Sequence, residues 1–151
     1  MKVYKFGGAS VKNADGVRNL LDIVSDEQEL FIIVSAMGKT TNALERVFAA
    51  MQQGDEAQAM EHIAESYAYH RTIIDELMGA DQTIVEVDTL FEQLRNIIRN
   101  TVYRSSDAEL WYDTIVAFGE LISTTIVSNY LNAHGVKNRW VDMRRAFLTE
   151  Q

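Results

Sequence analysis

The first third of the chain alternates between short apolar runs and one amphipathic segment. Val3-Tyr4-Lys5-Phe6 predicts a strand, because β-branched and aromatic residues favour that structure. After Asn13, which is suited to capping a helix, apolar side chains recur with the helical period at Val17, Leu20, Leu21 and Val24. The continuous apolar run from Leu30 to Val34 is typical of a parallel strand covered on both faces. Together these segments predict a right-handed βαβ unit, whose two strands end at the same edge of the sheet.

The pattern after Asn42 is helical for about ninety residues. Its apolar period and its good helix formers predict four helices, over residues 43–53, 55–78, 82–103 and 106–133. Glycines suited to ending a helix follow three of them, at Gly54, Gly79 and Gly135. Ser106 and Glu109 have the spacing of a capping box at the start of the last helix. Residues 138–141 are predicted to form a third strand, which makes the chain α/β.

Composition argues against several classes of protein. The length of 151 residues predicts one domain with a core of its own. A net charge of −8, with 14 scattered lysines and arginines, argues against a nucleic-acid-binding surface. The absence of cysteine excludes disulfides and thiolate metal sites. Apolar runs as short as residues 30–34 cannot span a membrane, and the first residues lack the apolar core of a signal peptide, so we expect a cytoplasmic protein without a membrane span.

The first motif with chemical character is Lys5-Phe6-Gly7-Gly8-Ala9-Ser10-Val11, where the first predicted strand ends. Two glycines let the backbone turn with its N–H groups open to a ligand, and Lys5 adds a positive charge beside them. Open N–H groups beside a positive charge are suited to binding phosphate. For the glycine pair alone an ordinary turn is the simpler explanation, so the motif needs support from elsewhere in the chain.

A second motif, Val34-Ser35-Ala36-Met37-Gly38-Lys39-Thr40-Thr41-Asn42, follows the second predicted strand. Its polar side chains crowd at the N-terminus of a predicted helix, where anions are favoured. Helix capping explains the spacing of these residues equally well. A phosphate-binding P-loop is excluded, because Ile33 occupies the position at which that motif requires glycine.

A third motif, Phe118-Gly119-Glu120, lies within the last predicted helix. Glu120 shares a helix face with small and mixed side chains, among them Ala117 and Thr124, and such a face would let another segment approach closely. A solvated face is the alternative. The three histidines have no metal-ligand spacing and are predicted to be ordinary surface or packing residues: His62, His70 and His134.

In their order and separation, the three motifs strongly resemble those of the aspartate kinases, a family within the amino-acid kinase superfamily. The resemblance extends over essentially the whole chain and implies an open αβα sandwich of the amino-acid kinase type, here its N-terminal lobe with parallel strands and a large helical insert. It also implies that residues 1–151 form an N-terminal fragment. The ATP-holding half and the regulatory ACT domains of the family would then lie beyond Gln151.

The activity implied by the resemblance is transfer of the ATP γ-phosphoryl group to the β-carboxylate of L-aspartate. Lys5 would stabilise charge on the transferring group, and the residues implied to bind phosphate or ATP are Lys5, Gly7, Gly8 and Ser10. Those implied to bind aspartate are Ser35, Ala36, Thr41 and Glu120, with Glu120 paired to the α-amino group. Mg²⁺ would arrive with ATP rather than occupy a protein cage, and a homo-oligomer is expected.

Two other functions stay open on the sequence. One is a kinase of the same superfamily that acts on another acid, such as glutamate or N-acetylglutamate. The other is a non-catalytic helical interaction module, for which the four predicted helices are the argument.

Overall fold

The structure is a computed structural model that describes residues 2–139. Its elements are β1 (Lys2–Phe6), α1 (Ala14–Val24), β2 (Leu30–Val34), α2 (Thr40–Gln52), α3 (Glu56–Met78), α4 (Val85–Asn100), a 3₁₀ turn (Ser105–Asp107) and α5 (Ala108–Ala133). The predicted βαβ unit and the four helices that follow it are confirmed. Three helices have boundaries that differ from the predicted ones by at least two residues: α2 begins three residues earlier than expected, α4 begins three residues later and ends three residues earlier, and α5 begins two residues later.

β1 and β2 pair in parallel, in a register that runs from Lys2 beside Leu30 to Phe6 beside Val34. Side chains alternate between the two faces of a sheet. One face packs on the core through Tyr4, Phe6, Leu30, Ile32 and Val34. The opposite face carries Val3, Lys5, Phe31 and Ile33, none of which belongs to the core, and Val3 is 55% exposed. Phe31 and Ile33 are half-buried without belonging to the core, so the covering of β2 on both faces stays a prediction.

Helix α1 forms as its sequence predicts. The Asn13 side chain accepts a hydrogen bond from the Gly16 amide at 2.9 Å, which satisfies one of the free N–H groups of the first turn. Val17, Leu20 and Val24 are buried on its apolar face. This face anchors α1 in the core close behind the loop that follows β1.

Helix α5 is the central helix and packs against α2, α4 and β2. Residues 105–133 are long and apolar enough to cross a membrane by composition, but 61% of their apolar window is buried inside the protein. α5 is therefore apolar because it is a core helix that its neighbours bury. The predicted capping box at its start is wrong: residues 105–107 form a 3₁₀ turn, and the cap position is Asp107, whose side chain makes no cap bond.

The boundary of α4 and the third strand also depart from prediction. Residues 80–82 do not begin α4, because Arg71 of α3 donates hydrogen bonds to the carbonyls of Ala80 and Gln82 and holds this stretch against α3. At the C-terminal end, Asn138 has no strand structure; its amide donates to the Asn132 side chain at 2.9 Å. Arg139 has no strand structure either, and residues 140 and 141 of the predicted strand lie outside the described residues.

Candidate functional site

The glycine loop, residues 7–13 between β1 and α1, makes a tight turn at the end of β1. The Ser10 amide donates to the Gly7 carbonyl at 3.0 Å, and the Val11 amide donates to the Gly8 carbonyl at 3.3 Å. Val11 is fully buried and anchors the turn. Within residues 2–139, the amides of Gly7 and Gly8 donate to no protein group. Two N–H groups are thus available to an anion at this turn.

The second loop, residues 35–39 between β2 and α2, lies directly against the glycine loop. The Gly38 amide donates to the Gly8 carbonyl at 3.0 Å. A Cβ on Gly8 would lie 2.8 Å from the Ala36 carbonyl oxygen and 3.0 Å from that of Gly38. Backbone atoms cannot yield cheaply, so position 8 requires glycine, whereas a Cβ on Gly7 would meet nothing. The predicted meeting of the two loops at one sheet edge is confirmed.

Position 38, in the second loop, also requires glycine, for reasons that the sequence does not reveal. Its φ is +55°, a conformation that favours glycine, and a Cβ there would lie 2.5 Å from the hydroxyl of Tyr69 on α3. That hydroxyl donates a hydrogen bond to the carbonyl of Lys12 in the glycine loop. One tyrosine therefore contacts both loops from the side of the helical insert.

Thr40 and Thr41 follow the second loop and have different environments. Thr40 is 2% exposed, and its hydroxyl donates to the Met37 carbonyl at 2.6 Å, so this side chain supports the loop rather than facing a ligand. Thr41 is exposed in the first turn of α2, where the backbone amides lack helical partners and the helix dipole favours anions. Ser35 donates its amide to the Phe6 carbonyl at 2.9 Å, which extends the pairing of the two strands.

The third motif meets the second loop through Gly119. A Cβ on Gly119 would lie 2.8 Å from the Ala36 Cβ, 3.3 Å from Leu44 and 3.5 Å from Thr40. Gly119 lies on a different side of α5 from the face that Glu120 shares with Ala117 and Thr124, so the close approach of a segment to that face stays a prediction. Glu120, the next residue, is exposed beside that contact, and its carbonyl accepts a hydrogen bond from the Thr124 hydroxyl at 2.8 Å.

The structure thus joins the three predicted motifs in one chain of close contacts, from Gly8 to Ala36 to Gly119. It does not give direct contacts between the side chains of Lys5, Thr41 and Glu120, each of which is exposed. Ser10 is also exposed at the turn of the glycine loop. Lys5 lies on the sheet face opposite the core, beside Ile33 of β2.

His70 is the buried titratable group behind this site. It is fully buried, and burial lowers the pKa of its imidazole below the ordinary value of 6.5. The neutral ring donates from Nδ1 to the Ser66 carbonyl at 2.7 Å, which leaves Nε2 without a proton, 3.4 Å from the Thr40 hydroxyl oxygen. This packing role agrees with the sequence prediction. Among residues 2–139, no three histidine or acidic side chains cluster to hold a metal ion.

Two residues that sequence reasoning missed are important to this geometry. A Cβ on Gly16 would lie 2.2 Å from the Ser10 carbonyl oxygen, so α1 can press on the glycine loop only with glycine at that position. The spacing of Gly16 from the Asn13 cap was the available signal. Tyr69 gave no signal, because its contacts depend on how α3 crosses the loops.

Comparison with known proteins identifies the family. The sequence profile of the amino acid kinase family matches residues 1–150, nearly the full chain. The chain belongs to the amino acid kinase family. Its curated relatives include aspartokinase 1, chloroplastic, of Arabidopsis thaliana, at 32% identity over 93% of this chain and 25% of that protein. The aspartokinase of Chlamydia trachomatis serovar D is 28% identical over 98% of this chain and 32% of that protein.

Solved structures of family members share the fold. Escherichia coli aspartokinase III in complex with aspartate and ADP has a TM-score of 0.78 and 24% identity, over 95% of this chain and 31% of that one. The aspartate kinase of Clostridium acetobutylicum has a TM-score of 0.68 and 25% identity, over 87% of this chain and 29% of that one. The predicted amino-acid kinase fold is confirmed. The chain spans about a quarter to a third of the length of the two curated relatives named above.

Proposed function

We propose that this chain is the amino-acid-binding and phosphate-loop part of an aspartate kinase. The complete enzyme would transfer the ATP γ-phosphoryl group to the β-carboxylate of L-aspartate and give 4-phospho-L-aspartate. Under this proposal the ATP-holding half and the ACT domains belong to the complete enzyme and not to this chain. A cytoplasmic location and a homo-oligomeric assembly stay predictions.

The observation that supports the proposal best is the convergence at Gly8, Ala36 and Gly119. Each of these residues comes from a different motif, and a Cβ on either glycine would lie 2.8 Å from an atom of Ala36. Among residues 2–139 the amides of Gly7, Gly8 and Thr41 have no protein acceptor, and Glu120 is exposed next to Gly119. Open amides suit phosphate and carboxylate oxygens, and a carboxylate suits an ammonium group. An amino acid brings carboxylate and ammonium groups, and the phosphoryl group that it is to receive brings the phosphate oxygens.

Phosphoryl transfer depends on positioning and on charge stabilisation more than on a protein nucleophile. In the proposed mechanism a substrate carboxylate oxygen attacks the γ-phosphorus, the bond to the β-phosphate oxygen breaks, and ADP leaves with that oxygen. Lys5 and the amides of Gly7 and Gly8 would stabilise the charge that develops on the phosphoryl oxygens. The hydroxyl of Ser10 lies at the same turn and would donate to a phosphate oxygen.

The amino-acid substrate would lie between the second loop and α5. Ser35, Ala36 and Thr41 would hold its carboxylates through hydroxyl and backbone groups at the start of α2. Glu120 would accept hydrogen bonds from its α-ammonium group. This arrangement would direct the β-carboxylate toward the glycine loop, where the phosphoryl group is held.

ATP would enter as a substrate and bring Mg²⁺ with it. The described residues contain no cluster of acidic or histidine side chains that would form a metal cage, and the open amides fit phosphate oxygens rather than a cation. The chemistry that Mg²⁺ supplies is neutralisation of phosphate charge. The residues of this chain would bind the phosphoryl group and orient its acceptor.

Two measurements test the proposal. Titration of the 151-residue chain with L-aspartate, followed by NMR at the amides of Gly7, Gly8 and Thr41, should give saturable shifts. The complete gene product should form an acyl phosphate from ATP and L-aspartate, which hydroxylamine traps as a hydroxamate. If the gene product strongly preferred glutamate or N-acetylglutamate, that acid rather than aspartate would be its substrate. Absence of binding and of turnover with every acid would favour the non-catalytic helical module.

A further inference from the structure

Two consecutive residues of α3 reach both loops of the candidate site from behind. The hydroxyl of Tyr69 donates to the Lys12 carbonyl in the glycine loop and lies against Gly38 in the second loop. His70 lies against Thr40, the first residue of α2, with 3.4 Å between Nε2 and the hydroxyl oxygen. One turn of α3 thus contacts the glycine loop, the second loop and the start of α2.

The two aromatic side chains are themselves held in place. The rings of Tyr69 and His70 meet edge to face with centroids 5.1 Å apart, and the His70 ring meets Phe91 of α4 at 5.6 Å. The His70 Nδ1 is bonded to the carbonyl of Ser66, one turn earlier on α3. A side chain with its rotamer fixed by packing holds its hydroxyl within narrow limits, which a site requires of the residues that support it.

We propose that Tyr69 is a positioning residue for the amino-acid substrate, and that its hydroxyl fixes the glycine loop relative to the second loop. This inference rests on the proposed function, because the substrate carboxylate would have to span these two loops to reach the phosphoryl group. A misplacement of about 1 Å at such a junction is enough to cost a hundredfold in rate. His70 supports the same arrangement through Thr40 and through the ring of Tyr69.

Tyr67 offers a matched control on the same helix. It is half-buried like Tyr69, and its hydroxyl donates to the Asp88 carboxylate of α4 at 2.9 Å, away from both loops. A hydrogen bond to a charged group is worth at least as much as one to a carbonyl. The Tyr67→Phe variant should therefore lose as much stability as Tyr69→Phe, with no effect on the loops.

The first test is amide hydrogen exchange at Gly38 in the 151-residue chain, since that amide donates to the Gly8 carbonyl and reports the junction of the loops. We expect exchange about tenfold faster in Tyr69→Phe and unchanged in Tyr67→Phe, beyond any change in global stability. Equally faster exchange in both variants, or unchanged exchange in Tyr69→Phe, would overturn the proposal that Tyr69 fixes the two loops relative to each other.

The second test is the Michaelis constant in the complete gene product. Tyr69→Phe should raise KM for aspartate about tenfold and leave KM for ATP unchanged, because only the acceptor spans both loops. Parallel changes in both constants, or unchanged constants, would overturn the positioning role. If the wild-type protein neither binds nor phosphorylates aspartate, the proposed function fails and the substrate role fails with it. In that case hydrogen exchange at Gly38 still tests whether Tyr69 fixes the glycine loop relative to the second loop.

Discussion

Gly119 of α5 lies so close to Ala36 of the second loop that a Cβ at position 119 would stand 2.8 Å from the Ala36 Cβ. Real Cβ atoms essentially never approach so closely. The absence of one methyl group therefore sets the distance between the central helix and the second loop. Glu120 owes its place beside that loop to this contact.

Gly119→Ala should destabilise the protein by about 1–2 kcal/mol, because overpacking costs about 1–3 kcal/mol and the better helix propensity of alanine returns up to about 1 kcal/mol. The double variant Gly119→Ala with Ala36→Gly should recover most of this loss, since it moves the methyl group from one partner to the other. Urea unfolding of both single variants and the double variant measures the coupling. Strictly additive effects would contradict the close contact.

Lys5→Ala in the complete gene product should lower kcat by about a hundredfold to a thousandfold, the usual loss on removal of one donor that stabilises the transition state. The fold should be unaffected, because Lys5 is exposed on the sheet face opposite the core. Lys2→Ala is the matched control, since Lys2 lies on the same strand and pairs with Glu27 at 3.2 Å. Near-normal turnover in Lys5→Ala, or an equal loss in Lys2→Ala, would remove Lys5 from the proposed mechanism.

Glu120→Gln should weaken aspartate binding about tenfold or more and leave ATP binding unchanged. The substitution keeps the shape of the side chain and removes the charge, and hydrogen bonds to charged groups contribute about 1.5–3 kcal/mol. Glu109→Gln, at an exposed position in the first turn of the same helix, controls for the general loss of negative charge. Calorimetric titration with aspartate would decide, and equal affinity in both variants would leave Glu120 a solvated residue.

The stability of the protein should fall as the pH drops below about 6.5, because of His70. Burial lowers the pKa of this imidazole in the folded state, so the unfolded chain takes up its proton first and is favoured at lower pH. The effect is absent above the unfolded pKa and grows by at most about 1.4 kcal/mol per pH unit below it. Urea unfolding between about pH 7.5 and 5.5 should show a shallower dependence in His70→Gln than in the wild type. Identical slopes would mean that His70 does not carry the effect.

The 151-residue chain should have no measurable kinase activity and should self-associate. Under the proposed function the ATP-holding segment belongs to the complete enzyme, so in this chain donor and acceptor would not be aligned within about 3–3.5 Å. The sheet face with Val3, Phe31 and Ile33 lies outside the core and offers an apolar surface. Light scattering should show a lower mass for Val3→Glu, whereas Ile23→Glu, at a 45% exposed apolar position on α1, should leave the mass unchanged. Robust turnover would contradict the predicted inactivity. A monomeric wild-type chain would contradict the predicted self-association.

Local signals in the sequence were sufficient for most of the secondary structure. The Asn13 cap and the apolar period of α1 are local properties, and the structure retains both. The error at Ser106 has a local cause too: the Asp107 amide bonds to the Arg104 carbonyl at 2.9 Å, and the resulting 3₁₀ turn moves the helix start past the capping box. Alternatives of this kind have similar energies, which is why helix ends are harder to predict than helices.

Tertiary contacts account for what the sequence did not reveal at the site. Tyr67 and Tyr69 are two positions apart on one helix and look equivalent in the sequence, yet one contacts Asp88 and the other contacts the two loops. The difference depends on the direction in which α3 crosses the loops. The resemblance to aspartate kinases named Gly7, Gly8 and Glu120 but gave no indication of the residues that hold them in place.

The contact between Gly119 and Ala36 joins positions about eighty residues apart, whereas those of the glycine loop with α1 and with the second loop are much more local. Closing such a long loop costs entropy that nearby pairings avoid. During synthesis the βαβ unit leaves the ribosome well before α5 does, so its two loops can meet first. The docking of α5 then completes the candidate site, and we expect it to be among the last steps of folding.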